Sequence, residues 1–176
     1  MPDSNHLNLK EELPLIPLKN VVLFPRVAIP LLVQRAKSIG SLDYALSQDR
    51  LVIFVAQKNI YDDVDQKDLF KIGTVGRIFE IHKLPDGTSK VHVEGIARVR
   101  IKEFSQVSPF FKARVELIEP KYASGIETEA LLRTTVEQFR KLVEVRNLPM
   151  STTFPELIDA LEQVKDLQQI VVLIAI

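Results

Sequence analysis

The chain has 176 residues, of which 46% are hydrophobic and 26% are charged. These fractions are ordinary for a globular protein, and the length suits one domain or one domain with an appendage. The 23 basic and 23 acidic residues cancel, which argues against a protein whose main task is to grip nucleic acid or an anionic membrane. The absence of cysteine excludes disulfides, thiol catalysis and zinc–thiolate sites, and it fits a reducing compartment.

The two ends of the chain differ in character. Residues 1–12, MPDSNHLNLKEE, have no apolar core, so they are predicted to be a flexible tail and not a secretory signal. No apolar run approaches the ~20 residues of a membrane span, and no membrane partner is expected. The chain ends in IVVLIAI. Because such a run would aggregate if it were exposed, it predicts a truncated fragment that ends within a structural element.

Residues 13–119 are predicted to form a β subdomain. LPLIPLKNVVLFP (13–25) is predicted to be a strand with Pro14 and Pro17 near its start, broken by Pro25 after Phe24. The prolines would restrict its pairing to one side and so protect an exposed edge strand from pairing with other chains. Further segments are rich in β-branched and aromatic residues. They lie at 27–33, 51–57, 72–84, 89–96, 97–104 and 111–118. One helix interrupts them, because Ile39, Leu42 and Leu46 recur at helical spacing.

LPDG (84–87) predicts a hairpin with a three-residue loop, a type I turn followed by a left-handed glycine. The resulting cross-strand pairs keep apolar residues with apolar ones and polar with polar. They are Ile81 with Val91, Phe79 with Val93, Glu80 with His92, and His82 with Lys90. A two-residue turn would pair Ile81 with His92 and mix the two faces of the sheet, so the three-residue loop is preferred.

From residue 127 the apolar period becomes helical. Residues 127–176 are predicted to begin a helical subdomain, joined to the β subdomain by a linker at 120–126. The first helix carries an apolar stripe of Leu132, Val136, Phe139 and Val143. Thr153, Pro155 and Glu156 indicate the start of a second helix, and DLQQ (166–169) that of a third.

The motifs of catalysis are missing from the sequence. It contains no phosphate-binding loop G-x-x-x-x-G-K-[ST], and neither the G-x-S-x-G nor the S-x-x-K motif of serine hydrolases. No catalytic or cofactor-binding residue is therefore expected in this chain.

Two clusters raise the question of a metal. Glu80, His82 and His92 share one predicted hairpin face and include two imidazoles, but no fourth ligand is visible, which favours a solvated face with a cross-strand ion pair. DDVDQKD (62–68) offers several carboxylates, as calcium loops do, yet it lacks their turn glycine and closing glutamate. A solvated loop is favoured there, and no metal is expected.

Basic residues alternate along one predicted strand and its neighbour, which raises RNA or DNA as a partner. They are Arg98, Arg100, Lys102, Lys112 and Arg114. No aromatic residues interleave for base stacking, and Glu94, Glu103 and Glu116 dilute the positive field. An ordinary solvated face is favoured over nucleic-acid binding.

Several segments resemble the amino-terminal domain of Lon proteases, in order and spacing. LPLIPLKNVVLFPRVAIPLLVQRAKSI (13–39) is similar to the family's opening, L-P-L-x-P-L-[RK]-[ND]-x-V-[VL]-F-P, and residues 83–98 resemble its K-L-P-D-G-T-x-K-V-x-V-E-G-x-x-R segment. VAQKN, IGTVGRI and FFKARVELIE are also similar. Arg26 is a departure, because many members have glycine after F-P, and it predicts that this position does not require a positive φ.

The resemblance implies an α+β fold: a PUA-like twisted β-sheet or pseudo-barrel of about six strands with one helix, followed by an α-helical subdomain. It implies a domain that captures unfolded or damaged protein substrates and helps to assemble a cytoplasmic homohexamer. The ATPase module with its ATP and Mg²⁺, and the Ser–Lys dyad that cleaves misfolded, damaged and short-lived regulatory proteins, would lie outside this chain. The alternatives are a stand-alone Lon-type interaction module and an RNA-binding PUA-like domain.

Capture of unfolded chains requires exposed apolar surface, because misfolded proteins share little else. The candidates are Phe24, Pro25 and Val27 in the proline-bounded turn, and Leu84 and Pro85 at the hairpin tip. In the alternative interpretation, Phe24 belongs to the core and the tip is merely solvated.

Overall fold

The computed structural model describes residues 12–119 and 125–145, and the chain divides into two compact units, Met1–Glu119 and Pro120–Ile176. The elements of the first unit are β1 (Glu12–Leu18), β2 (Ala28–Val33), α1 (Ala36–Leu46), β3 (Leu51–Ala56), β4 (Ile72–Lys83), β5 (Ser89–Gln106) and β6 (Phe111–Leu117), with a short 3₁₀ helix at Gln66–Asp68.

The described helix of the second unit is α2 (Ile126–Val145), in agreement with the first predicted helix. The side chains of Leu132, Phe139 and Val143 and the two further predicted helices lie outside the described residues. Neither α1 nor α2 is long and apolar enough to cross a membrane.

One mixed sheet organises the first unit. Its strand order is β2-β5-β4-β3-β1-β6, and β5 also pairs with β6. The extra pairing closes five strands into a barrel and leaves β2 as an edge strand. β5 can serve both partners because it has 18 residues: its first half pairs with β2 and its second half with β6. The expected six-stranded pseudo-barrel is confirmed, and the two strands predicted at 89–96 and 97–104 are one.

The prediction for residues 13–25 is wrong in two respects. β1 ends at Leu18, and residues 21–24 belong to the connection between β1 and β2. β1 is also not an edge strand, because its first half pairs antiparallel with β6 and its second half parallel with β3.

Each proline of β1 nevertheless faces a side on which no strand pairs with it. The amide of Gln57, the residue that directly follows β3, donates to the Leu18 carbonyl at 2.9 Å. Alternation along β1 therefore directs the backbone of even-numbered residues towards β3 and that of odd-numbered residues towards β6. Pro14 faces β3, but the pairing of β1 with β3 begins only at Leu15. Pro17 faces β6, but the pairing of β1 with β6 has already ended at Leu15. The missing amide hydrogens therefore cost no ladder bond.

Two hydrophobic clusters use opposite faces of the central strands. One fills the barrel and draws on all five of its strands, and the other lies between the sheet and α1. β3 contributes Ile53 to the first and Phe54 to the second, which explains why its sequence is a continuous apolar run. The predicted stripe of α1 is confirmed, since Leu42 is buried in the second cluster and Ile39 and Leu46 pack against it.

The connection between β1 and β2 crosses the sheet at Gly95. A Cβ atom on Gly95 would lie 2.0 Å from the carbonyl oxygen of Phe24, so a side chain cannot be accommodated there without moving the connection. The Arg26 amide donates to the Gly95 carbonyl at 2.7 Å, and the Gly95 amide donates to the Val27 carbonyl at 2.9 Å. These two bonds attach the connection to β5 at the start of β2.

The same connection is also held by β4. The Thr74 hydroxyl donates to the Leu23 carbonyl at 2.6 Å, and the Leu23 side chain is buried against Gly76, where a Cβ atom would lie 2.9 Å from it. Leu23 is therefore a core residue.

Arg26 occupies the left-handed region, with φ 65°. The prediction that this position does not require a positive φ is therefore wrong: the turn that brings the Arg26 amide to Gly95 requires the conformation, and here an arginine adopts it. An L-residue other than glycine adopts this conformation at a cost of roughly 1–2 kcal/mol.

A matched pair of substitutions tests the strain at Arg26. We expect Arg26→Gly to be more stable than Arg26→Ala by about 1 kcal/mol, because both remove the arginine side chain but only alanine keeps a Cβ at positive φ. Urea unfolding of the two variants measures the difference. The control is the same pair of substitutions at Lys90, inside β5, where Lys90→Ala should be more stable than Lys90→Gly. If the alanine variant were the more stable one at both positions, the assignment of strain to Arg26 would be contradicted.

Candidate functional site

The hairpin between β4 and β5 has the predicted loop. The Leu84 amide donates to the Thr88 carbonyl at 2.8 Å, the Gly87 amide donates to the Leu84 carbonyl at 3.1 Å, and Gly87 has φ 83°. Three predicted cross-strand pairs are confirmed. They are Ile81 with Val91, Glu80 with His92, and His82 with Lys90.

The fourth predicted pair is wrong, because β4 contains a bulge. Ile78 is the partner of Val93, and the register shifts between Ile78 and Glu80. Phe79 is the extra residue, and the bulge places its side chain on the outer face with 49% of its surface exposed. Its ring meets that of His92 edge-on, with 5.9 Å between the centroids. Alternation in the sequence alone could not reveal this, since the extra residue changes the face.

The edge strand β2 carries apolar residues on its outer face. Leu31 and Val33 point into the core, whereas Ala28, Pro30 and Leu32 are exposed, and Leu32 reaches 64% exposure. An edge strand usually presents polar or charged residues at such positions.

Phe79 and the exposed side of β2 lie on the same face of the sheet. Pro30 is the register partner of His92, whose ring Phe79 contacts. The Lys83 ammonium reaches Asp43 on α1 at 3.2 Å, so strand alternation directs Leu84 to the opposite face, that of Leu32. We call Pro30, Leu32, Phe79, Leu84 and His92 the hairpin face.

The five residues predicted as a capture site fall into two places. Leu84 and Pro85 are exposed at the hairpin tip, whereas Phe24, Pro25 and Val27 are half-buried near the start of β2. The seven steps along β5 from Thr88 to Gly95 correspond to about 23 Å, so the two groups lie at opposite ends of the hairpin. On the connection itself, Val21 and Val22 are the more exposed apolar side chains, at 40% and 55%.

The candidate metal cluster does come together on the outer face. The Glu80 carboxylate lies 2.9 Å from His82 Nε2 and 3.7 Å from His92 Nδ1. All three side chains are substantially open to solvent, as the interpretation of a solvated face with a cross-strand ion pair expects. Within residues 12–119 and 125–145, no group of histidine and carboxylate side chains is arranged to hold a metal ion.

Three carboxylates of the acidic run at 62–68 make contacts that stabilise the loop. Asp65 and Asp68 form a reciprocal capping box around the 3₁₀ helix, and the Asp62 carboxylate lies 3.1 Å from the Lys19 ammonium and 3.8 Å from the Arg35 guanidinium. These contacts fit a loop that is tied to its own backbone and neighbours.

Acidic neighbours neutralise part of the basic stripe. Lys102 pairs with Glu116, and Arg114 donates to Glu103 at 2.9 Å. The hydrogen bond from Lys102, together with its charge, lowers the pKa of Glu116 below its ordinary value of 4.5. Lys112 lies over the Tyr44 ring at 3.9 Å from the centroid. Three of the five basic residues of the stripe are therefore engaged by neighbouring side chains, which reduces the positive field available to phosphate groups.

The Lys102–Glu116 pair gives a direct test of this neutralisation. Because the folded pKa of Glu116 is lowered, its ionised form stabilises the fold above pH 4.5, and this contribution is lost as the pH falls through the folded pKa. We expect Lys102→Gln to raise the pKa of Glu116 towards 4.5, as followed by carboxyl carbon shifts in an NMR titration. Lys112→Gln should leave the pKa of Glu116 unchanged, and a pKa that does not respond to Lys102→Gln would contradict the pairing.

Comparison with known proteins identifies a family. The model of the ATP-dependent protease La (LON) substrate-binding domain matches residues 12–176. Lon protease from Trichlorobacter lovleyi is 39% identical over 165 residues, 93% of this chain and 20% of the relative. Lon protease from Escherichia coli K12 is 39% identical over 157 residues, 88% of this chain and 19% of the relative. The chain therefore spans about a fifth of the length of these curated relatives.

Two solved structures share the fold. The amino-terminal domain of a Mycobacterium avium complex Lon protease superimposes with a TM-score of 0.67 at 16% identity, over 90% of this chain and 78% of that chain. A Lon N-terminal domain protein from Xanthomonas campestris gives a TM-score of 0.54 at 21% identity, over 88% of this chain and 91% of that chain.

Proposed function

The chain belongs to the family of Lon protease substrate-binding domains, and on that premise we propose that it captures unfolded or damaged polypeptides through the hairpin face. The observation that carries the proposal is the exposure of Leu32, Phe79 and Leu84 on one side of a sheet. Exposed apolar surface of this kind is what unfolded chains, which expose their own apolar side chains, can bind.

The chemistry of the hairpin face suits weak and sequence-tolerant binding. Burial of its three large apolar side chains supplies at most about 6 kcal/mol, at roughly 2 kcal/mol each, and the loss of motional freedom on association consumes a large part of that. His92, Lys90 and Glu80 lie among the apolar residues and offer polar contacts to a peptide backbone. A single domain would therefore bind weakly, and several copies in one assembly would bind more tightly through multivalency.

Among the predicted contact residues, Leu84 and Pro85 lie at the tip of this face and are retained in the proposal. Phe24, Pro25 and Val27 form a second candidate contact at the other end of the hairpin. This second contact has less support than the hairpin tip, because Phe24, Pro25 and Val27 are half-buried and less of each side chain is available to a partner.

The activity of the whole protein is part of the same proposal. We infer a cytoplasmic homohexamer in which an ATPase module, with ATP and Mg²⁺, drives substrates to a Ser–Lys dyad, with all of these parts outside this chain. The relatives named Lon protease, of which the chain covers about a fifth, support this inference. A stand-alone interaction module is the alternative.

Reading the coding sequence beyond Ile176 separates these alternatives. We expect an open reading frame with a phosphate-binding loop G-x-x-x-x-G-K-[ST] and, after it, a serine protease segment with a catalytic lysine. A stop codon before any such motif would contradict the protease and favour the stand-alone module.

Substitutions on the hairpin face test the capture surface. We expect Leu32→Ser combined with Phe79→Ser to weaken binding of a reduced, carboxymethylated and permanently unfolded polypeptide about tenfold or more, because each loses apolar contact worth roughly 1 kcal/mol. Fluorescence anisotropy of the labelled polypeptide measures the affinity. Both side chains are exposed, so the melting temperature should change little.

The matched control is Ile60→Ser combined with Tyr61→Ser. These side chains, on the connection between β3 and β4, are 66% and 69% exposed, so they test whether any exposed apolar pair would serve. Equal loss of binding in both double variants would show that the hairpin face is not the site. If neither double variant lost binding but Val27→Ser did, the capture site would instead be the turn that contains Phe24, Pro25 and Val27.

A further inference from the structure

A cavity of about 280 Å³ lies at the end of the hairpin that is remote from its tip. The residues that line it are Arg26, Arg77, Glu94, Gly95 and Ile96. The volume is about nine times the share of one water molecule in the liquid, about 30 Å³, so the cavity has room for one side chain or one chain end of a bound polypeptide.

The cavity is continuous with the hairpin face. His92 and Glu94 are two residues apart on β5, and the pairing of β5 with β2 has no register shift between them, so their side chains point to the same side of the sheet. Arg77 is the register partner of Glu94 on β4 and shares that side. A polypeptide bound on the hairpin face therefore reaches the cavity without crossing to the other face of the sheet.

Arg77 supplies the cation that a ligand in the cavity would meet. The residue is exposed, and its guanidinium makes no hydrogen bond, ion pair or ring contact with any residue that the structure describes. Its cross-strand neighbour Glu94 carries the opposite charge, yet no ion pair joins the two side chains. A guanidinium presents a planar fork of donors that matches a carboxylate, so Arg77 is free to donate to a carboxylate that a ligand brings.

Arg26 adds positive charge to the cavity from a fixed backbone. Its amide donates to the Gly95 carbonyl at 2.7 Å, and its φ of 65° is the strained conformation described above. Strain of this kind persists where the surrounding structure enforces it, and it is concentrated at binding sites. Two of the three charged residues that line the cavity are arginines, so the cavity favours a negatively charged group.

We propose that this cavity takes a carboxylate of the captured polypeptide while the hairpin face takes one of its apolar side chains. The inference rests on the proposed function, because it names the class of polypeptide that the hairpin face prefers. That class is an apolar segment close to an acidic residue or to the carboxyl terminus, since both present the same carboxylate group to Arg77.

The geometry of β5 sets the spacing between the two groups of the ligand. Leu32 on the hairpin face is the register partner of Lys90, and Lys90 precedes Glu94 by four residues on β5, a distance of about 13 Å. About four residues of an extended polypeptide span the same distance, and side chains at an even spacing point to the same side. The preferred ligand therefore carries its carboxylate about four residues from a large apolar side chain.

NMR titration of the whole chain with matched peptides is the first test. Two peptide amides share an apolar segment of leucine and phenylalanine, and they carry either aspartate or asparagine about four residues after the leucine. We expect the aspartate peptide to bind about threefold to fivefold more tightly, the effect of an exposed arginine–carboxylate pair, and to shift the amide signals of residues 94–96.

A third peptide distinguishes the two sources of the carboxylate. It ends at the asparagine with a free carboxyl terminus, so its only added carboxylate is that of the chain end. Tighter binding of the aspartate peptide assigns the cavity to acidic side chains, and tighter binding of the third peptide alone assigns it to chain ends. Equal affinity of all three peptides would overturn the cavity assignment and leave capture on the hairpin face intact. Failure of all three to bind would contradict the proposed function itself and this inference with it.

Substitution of Arg77 gives the second test. Arg77→Gln should abolish the preference for the carboxylate peptide and leave the affinity for the asparagine peptide unchanged, with little change in the melting temperature, because Arg77 is exposed. The matched control is Arg98→Gln, since Arg98 is an exposed arginine of β5 that does not line the cavity. An equal loss of preference in both variants would indicate general charge attraction and overturn the assignment.

Substitution of Glu94 checks the sign of the ligand's charge. Glu94→Gln removes a negative charge from the cavity, so it should tighten binding of the carboxylate peptide and leave the affinity for the asparagine peptide unchanged. Weaker binding of the carboxylate peptide to Glu94→Gln, together with tighter binding to Arg77→Gln, would identify a site for cations and overturn the proposal.

Discussion

The close approach of the β1–β2 connection to Gly95 determines where β2 lies. The Phe24 carbonyl occupies the space that a side chain on residue 95 would fill. Because Gly95 has no side chain, its backbone can exchange hydrogen bonds with Arg26 and Val27, and these bonds set the register of the edge strand. The register buries Leu31 and exposes Leu32. A slip of one residue would exchange the two faces of β2 and would take Leu31 and Val33 out of the core.

Side-chain alternation and turn chemistry were enough to predict most of the strands, α1 and the hairpin loop. They failed where the backbone departs from a regular period. The bulge at Phe79 inserts one residue, so a pattern of period two assigned that ring to the core. The run Val21–Phe24 has the composition of a strand, but the pairing of β1 with β3 and β6 is complete before it, and only Leu23 of the run is buried.

The candidate site was predictable only in part, because exposure depends on neighbours that are distant in sequence. Leu84 and Pro85 could be proposed because a turn sequence places them at a tip. AIPLLV, the sequence of β2, is apolar throughout, so choosing its exposed side required knowledge of the α1 side of the sheet. The same limit applied to the charges, because the partners of Lys102 and Asp62 come from other segments. The sequence alone favoured a solvated face and a solvated loop, with nucleic acid and calcium as the alternatives, and could not identify these partners.

Pro30 constrains how the proposed capture surface can work. The Gly95 amide donates to the Val27 carbonyl, so alternation directs the odd-numbered residues of β2 towards β5 and the even-numbered ones towards the free edge. Pro30 therefore faces that edge and removes the central donor that an added strand would need. A captured polypeptide then has to bind through side chains on the hairpin face rather than by extending the sheet. Binding of that kind is weaker and more readily reversible than strand addition, in keeping with the weak, sequence-tolerant binding proposed for the hairpin face.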